Sequence, residues 1–84
     1  MRFLVVDDSA TMRRIIVNSL QRIGYTDCVE AGDGFEAIDK YDRSIGFVIT
    51  DWNMPHMTGL DLARALRQRE DARHVPILMV TTRS

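Results

Sequence analysis

Phe3-Leu4-Val5-Val6-Asp7-Asp8 opens the chain with four apolar residues and halts them with two carboxylates. A short run that is apolar on both faces reads as a strand buried inside a parallel sheet. Phe47-Val48-Ile49-Thr50 repeats the pattern and also ends in an acid, Asp51. Pro76-Ile77-Leu78-Met79-Val80-Thr81 is a further strand of this kind, with Pro76 at the first position, where a missing N–H is tolerated. Tyr25 to Ala31 is a weaker strand, with Val29 and Ala31 toward one side and Cys28 as a small apolar filler.

The intervening segments read as helices. Met12, Ile15, Ile16, Leu20 and Ile23 recur at helical spacing, with Ser9 or Thr11 as the cap and Gly24 as the stop. Arg13, Arg14, Asn18, Gln21 and Arg22 fill the opposite face. Gly32-Asp33-Gly34 is a turn, and Phe35, Ile38 and Tyr41 mark a short helix. Trp52 to Thr58, containing Pro55, is a loop, and Gly59 to Arg69 is a helix with Leu62 and Leu66 inward. The order is βαβαβαβ with short connections. It predicts an α/β fold with right-handed crossovers and a parallel sheet covered on both faces.

Composition narrows the function. A length of 84 residues holds one domain. Eleven basic against twelve acidic side chains give a net charge of -1, which disfavours nucleic-acid binding; a helix-turn-helix module has no residues left to form it. The lone Cys28 excludes an internal disulfide and a cysteine zinc cluster. No apolar run is long enough to insert in a membrane, and Met1-Arg2 leads directly into a strand, so a cytoplasmic location without a signal peptide is expected.

Strands in a parallel sheet point the same way, so Asp7, Asp8 and Asp51 share one rim. If the first and third strands are neighbours, three carboxylates converge. Their repulsion calls for a cation, and an oxygen-liganded Mg²⁺ meets that need. Asn53 can add a carbonyl oxygen from the loop, and Thr81 ends its strand on the same rim with a hydroxyl. An aspartate after one strand is a common loop starter, but the full set at successive strand ends is not. His56 and His74 form no catalytic pair, and Gly32-x-Gly34 lacks the remainder of a nucleotide-binding loop. A metal-dependent phosphohydrolase would want a second acid two positions after Asp51, where Asn53 stands.

These motifs resemble the receiver domain of two-component response regulators, nearest its single-domain chemotaxis members. The resemblance rests on Phe3 to Ser9 followed by Met12-Arg13-Arg14, on Val48 to Pro55 followed by Gly59, and on Pro76 to Thr81. It implies a flavodoxin-like, three-layer sheet of strand order 2-1-3-4-5. It implies that Asp51 takes a phosphoryl group from a histidine kinase. Asp8 and Asp51 would be direct carboxylate ligands of Mg²⁺, Asp7 a ligand through water, and the Asn53 backbone carbonyl would complete the shell. The Thr81 hydroxyl would turn toward the phosphoryl group. Met12, Arg13 and Arg14 would offer the kinase a surface, and Asn53 and Arg83 would tune the lifetime of the acyl phosphate. The family catalyses its own aspartyl phosphorylation and dephosphorylation, so no ordinary turnover enzyme is implied.

The family pattern continues past Thr81 with a fourth helix, a fifth strand bearing a phosphoryl-binding lysine, and a fifth helix. Lys40 is the only lysine here and falls in the second helix. Residues 1–84 therefore read as the N-terminal part of one receiver domain, with an open fourth-strand edge that a second copy or a complementing chain would cover. A fragment, a recombined building block and a natural short protein all fit this reading. The functional rival is a fragment that binds or scaffolds without being phosphorylated.

Overall fold

The computed structural model describes residues 1–81. Its elements are β1 (Arg2–Val6), α1 (Ala10–Arg22), β2 (Cys28–Ala31), α2 (Gly34–Lys40), β3 (Ile45–Asp51), α3 (Gly59–Arg67), a 3₁₀ turn (Glu70–Ala72) and β4 (Ile77–Val80). Four parallel strands lie in the order β2-β1-β3-β4. This is the three-layer parallel α/β architecture expected from the chain.

Alternation along the central strands divides the core. Leu4, Val6 and Val48 face α2 and α3, joining Ala37, Leu62 and Leu66. Phe3, Val5 and Ile49 face α1 and meet Val17. Both faces of β1 are covered, which is why its sequence shows no polar alternation. Val29 and Ala31 pack on the first side and Cys28 on the second, as the weak strand pattern predicts.

Each helix starts on a side-chain cap. The Ser9 hydroxyl accepts from Met12 N at 3.2 Å, settling the choice between Ser9 and Thr11. Asp33 caps α2 through Glu36 N at 2.7 Å. Thr58 and Asp61 form a reciprocal capping box at the start of α3.

The α1 face departs from expectation. Val17, absent from the apolar set, is its buried residue, whereas Ile15 and Ile23 are 51% and 70% exposed. Both line an apolar cleft of about 380 Å³ between α1 and the β3–β4 side of the sheet, with Leu78 and Val80. Val17 is the buried residue of α1 that seats on Phe3, Val5 and Ile49. Arg13, expected on the outer face, turns back toward the end of β1. Phe35 is also exposed, and Ala37 takes the buried place in α2. The long helix over 59–69 ends at Arg67, and the 3₁₀ turn follows it. Among the described residues, no helix is long and apolar enough to cross a membrane.

Candidate metal and acceptor site

Pairing of β1 with β3 builds the site. Val6 lies opposite Thr50, so Asp51 and the residues following Val6 emerge side by side at the carboxyl rim. Carboxylate oxygens of Asp7, Asp8 and Asp51 lie within 4.8 Å of one another. Asp7 is wholly buried and Asp51 is 5% exposed, while Asp8 faces solvent. The expected convergence of three acids is therefore present.

The two oxygens of Asp7 have different surroundings. Oδ1 accepts from Ser9 N at 2.8 Å. Oδ2 is buried without a hydrogen-bond partner among the described residues. Burial pushes the Asp7 carboxyl above its ordinary range; the Ser9 N–H opposes this, Asp51 and Asp8 add to it, and Arg13 opposes it. A buried, unpartnered carboxylate oxygen beside two further carboxylates is a costly arrangement by itself. An all-oxygen donor set of this charge fits a hard divalent cation.

The loop after β3 brings its polar groups back to the rim. Asn53 N approaches Asp51 Oδ1 at 3.5 Å, and the Asn53 side chain is exposed. Trp52 N donates to Val80 O at 2.9 Å, which ties the loop to β4. Asp51 is in register with Val80, so Thr81 follows at the same rim, one position beyond the paired strand. Gly59 N donates to Trp52 O at 2.9 Å and closes the loop against α3.

Met12, Arg13 and Arg14 begin beside this rim, but they do not form one free surface. Arg13 Nε donates to Glu30 Oε1 at 3.3 Å, and Arg14 Nη1 to Glu30 Oε2 at 2.8 Å. Arg13 Nη1 also donates to the main-chain oxygen of Asp7. Glu30 was not among the residues singled out in the sequence. Its only signal there is an acid inside a weak strand. Lys40 Nζ donates to Glu30 O at 2.7 Å. Arg83 lies outside the described residues.

Comparison with known proteins agrees with this geometry. Residues 3–84 match the family described as response regulator receiver domain. The chemotaxis protein CheY1 of Helicobacter pylori (strain 26695) is 52% identical over 84 residues, 98% of this chain and 68% of the relative. Chemotaxis protein CheY of Pseudomonas aeruginosa is 51% identical over 82 residues, 96% of this chain and 66% of the relative. Among solved structures, Vibrio cholerae chemotaxis protein CheY4 superposes with a TM-score of 0.89 at 38% identity. That match covers 99% of this chain and 69% of the other. The chain thus spans about two thirds of the length of these relatives.

Proposed function

The chain belongs to the response regulator receiver domain family, and from that premise we propose that Asp51 accepts a phosphoryl group from a histidine kinase with Mg²⁺ bound at the acid cluster. The observation that carries this reading is the unpartnered, buried Asp7 Oδ2 within a triad of converging carboxylates. As a Lewis acid, Mg²⁺ offsets the negative charge shared by acceptor and incoming phosphoryl group.

The protein's own part is positioning. Asp51 stands at the end of the central β3, held by pairing on both sides through β1 and β4. Its carboxylate oxygen attacks phosphorus in line, forming the aspartyl O–P bond as the donor's P–N bond breaks and the imidazole departs. Asp7 is oriented by the Ser9 N–H, which leaves its second oxygen available to act on a bound cation through water. Asp8 and Asp51 would hold Mg²⁺ as direct carboxylate ligands, and the Asn53 backbone carbonyl would complete the set. The Thr81 hydroxyl donates to a phosphoryl oxygen and reports its arrival as a local rearrangement beside β4. The sole lysine is held at Glu30 O, so the phosphoryl group has no lysine partner among the described residues.

Trp52 is half exposed next to the acceptor, so its emission serves as the probe. Addition of Mg²⁺ to the chain is expected to change it saturably. Incubation with acetyl phosphate and Mg²⁺ should then add the mass of one phosphoryl group, and Asp51→Asn should abolish that adduct. Saturable Mg²⁺ binding with no adduct would favour a metal-binding scaffold over an acceptor.

A second reading, association through the β4 edge, has its own observation. Leu78 is 49% exposed and faces a cleft lined also by Ile15 and Ile23. Sedimentation tests it, with a concentration-dependent dimer expected and Leu78→Glu returning it to monomer.

A further inference from the structure

We propose that Glu30 is a positioning residue for the acid site: it acts through Arg13, holding that guanidinium on the Asp7 backbone and off the three carboxylates. The inference rests on the reading of Asp7, Asp8 and Asp51 as a Mg²⁺ site.

Glu30 lies on β2 directly opposite Val5 of β1, whose side chain packs on the α1 side of the sheet. Its carboxylate meets two arginines of α1, one on each oxygen. The Arg13 side chain is 18% exposed and that of Glu30 is 29% exposed, so this pair is better shielded than an ordinary surface bridge. Lys40 Nζ holds the Glu30 carbonyl from the other side and fixes the strand end.

Arg13 donates to two acceptors, Glu30 Oε1 and the Asp7 carbonyl. It is also the positive group that acts electrostatically on the Asp7 carboxyl. A guanidinium so close to a cluster of three carboxylates has a strong alternative partner. It forks readily onto carboxylates, and its side chain is long enough to change direction. Such a swing would place a fixed positive charge where the divalent cation belongs. The Glu30 carboxylate removes that option by occupying Nε. It leaves Nη1 on the Asp7 main-chain oxygen, while the Asp7 carboxylate is oriented by Ser9 N and not by arginine.

The arrangement predicts non-additive Mg²⁺ binding, read by Trp52 emission and checked by calorimetry with Mg²⁺ alone. Glu30→Gln is expected to weaken Mg²⁺ binding by roughly threefold or more, because the freed guanidinium competes for the carboxylates. Arg13→Met is expected not to weaken it. In the Arg13→Met background, Glu30→Gln should have no further effect. Arg14→Met removes the other partner of Glu30 and should leave affinity within about twofold of the parent. Urea unfolding of each variant separates loss of fold from loss of binding, and Glu30→Asp replaces Glu30→Gln if the latter does not fold. An equal effect of Glu30→Gln with and without Arg13 would mean simple through-space charge and would overturn the proposal. So would no effect at all in the parent background. A parent chain that does not bind Mg²⁺ overturns the site reading itself, whereas a parent that binds with an additive cycle overturns only the role of Glu30.

Discussion

A Cβ placed on Gly59 would stand 2.4 Å from the main-chain oxygen of Asp51. The first residue of α3 therefore touches the backbone of the proposed acceptor, and only a bare Cα fits. The obstruction is main chain on both sides, so no rotamer change relieves it. Gly59→Ala is expected to destabilise the protein by about 1–3 kcal/mol and to weaken Mg²⁺ binding by displacing the Asp51 loop. Urea denaturation and Trp52 titration measure the two effects separately.

Asp7 works against the stability of the metal-free chain. Burial raises its folded pKa above the unfolded value of 3.8, with repulsion from Asp51 and Asp8 adding to the rise. The unfolded state thus loses this proton first as pH increases. Stability from this group falls as pH climbs from the unfolded pKa through the raised folded one, and stays lower above it. Asp7→Asn should remove that decline, making the metal-free variant more stable than the parent at neutral pH. It should also largely abolish Mg²⁺ binding. Thermal unfolding across pH, with and without Mg²⁺, is the measurement.

Arg69 closes the opposite end of the molecule. It pairs with Asp71 at 2.8 Å, donates to Ile38 O at 2.8 Å and Tyr41 O at 3.3 Å, and lies over the Tyr41 ring at 5.3 Å. Arg69→Met should cost about 1–3 kcal/mol, since two carbonyls lose a charged donor. Mg²⁺ affinity should not change, because the clasp is remote from the acid rim.

The Asp71 end of this clasp titrates in the opposite sense to Asp7. The hydrogen-bonded Arg69 guanidinium holds the Asp71 carboxyl below its usual 3.8. Its contribution is present above the unfolded pKa and is lost as pH falls through the lower folded value. Asp71→Asn should therefore flatten the acid limb of a stability curve while leaving the neutral limb shaped by Asp7.

The reading of the central strands followed from chemistry that packing does not alter. A four-residue apolar run stopped by acids has few places to go except inside a parallel sheet, and Asp7, Asp8 and Asp51 then meet at its rim. The helix faces were less legible. Ile15 and Val17 have similar hydropathy, and which of them is buried depends on how α1 seats on Phe3, Val5 and Ile49. Periodicity does not report that seating. Arg13 looked like a solvent-facing residue because local spacing says nothing of Glu30, seventeen positions away on another strand. The 3₁₀ turn at Glu70–Ala72 has no periodic signal of its own, and the Tyr41 hydroxyl that donates to Asp71 O comes from thirty positions away.

Register between β1 and β3 also has a kinetic meaning. Val6 meets Thr50 across more than half the length of the chain, with a helix, a strand and a second helix intervening. Loop closure of that span is slow relative to local helix formation. The acids are therefore far apart in any state that has formed only local structure, and their repulsion arises late, after most of the chain has been ordered. Mg²⁺ should then act chiefly on the unfolding rate, retarding escape from the native state while leaving refolding nearly unchanged.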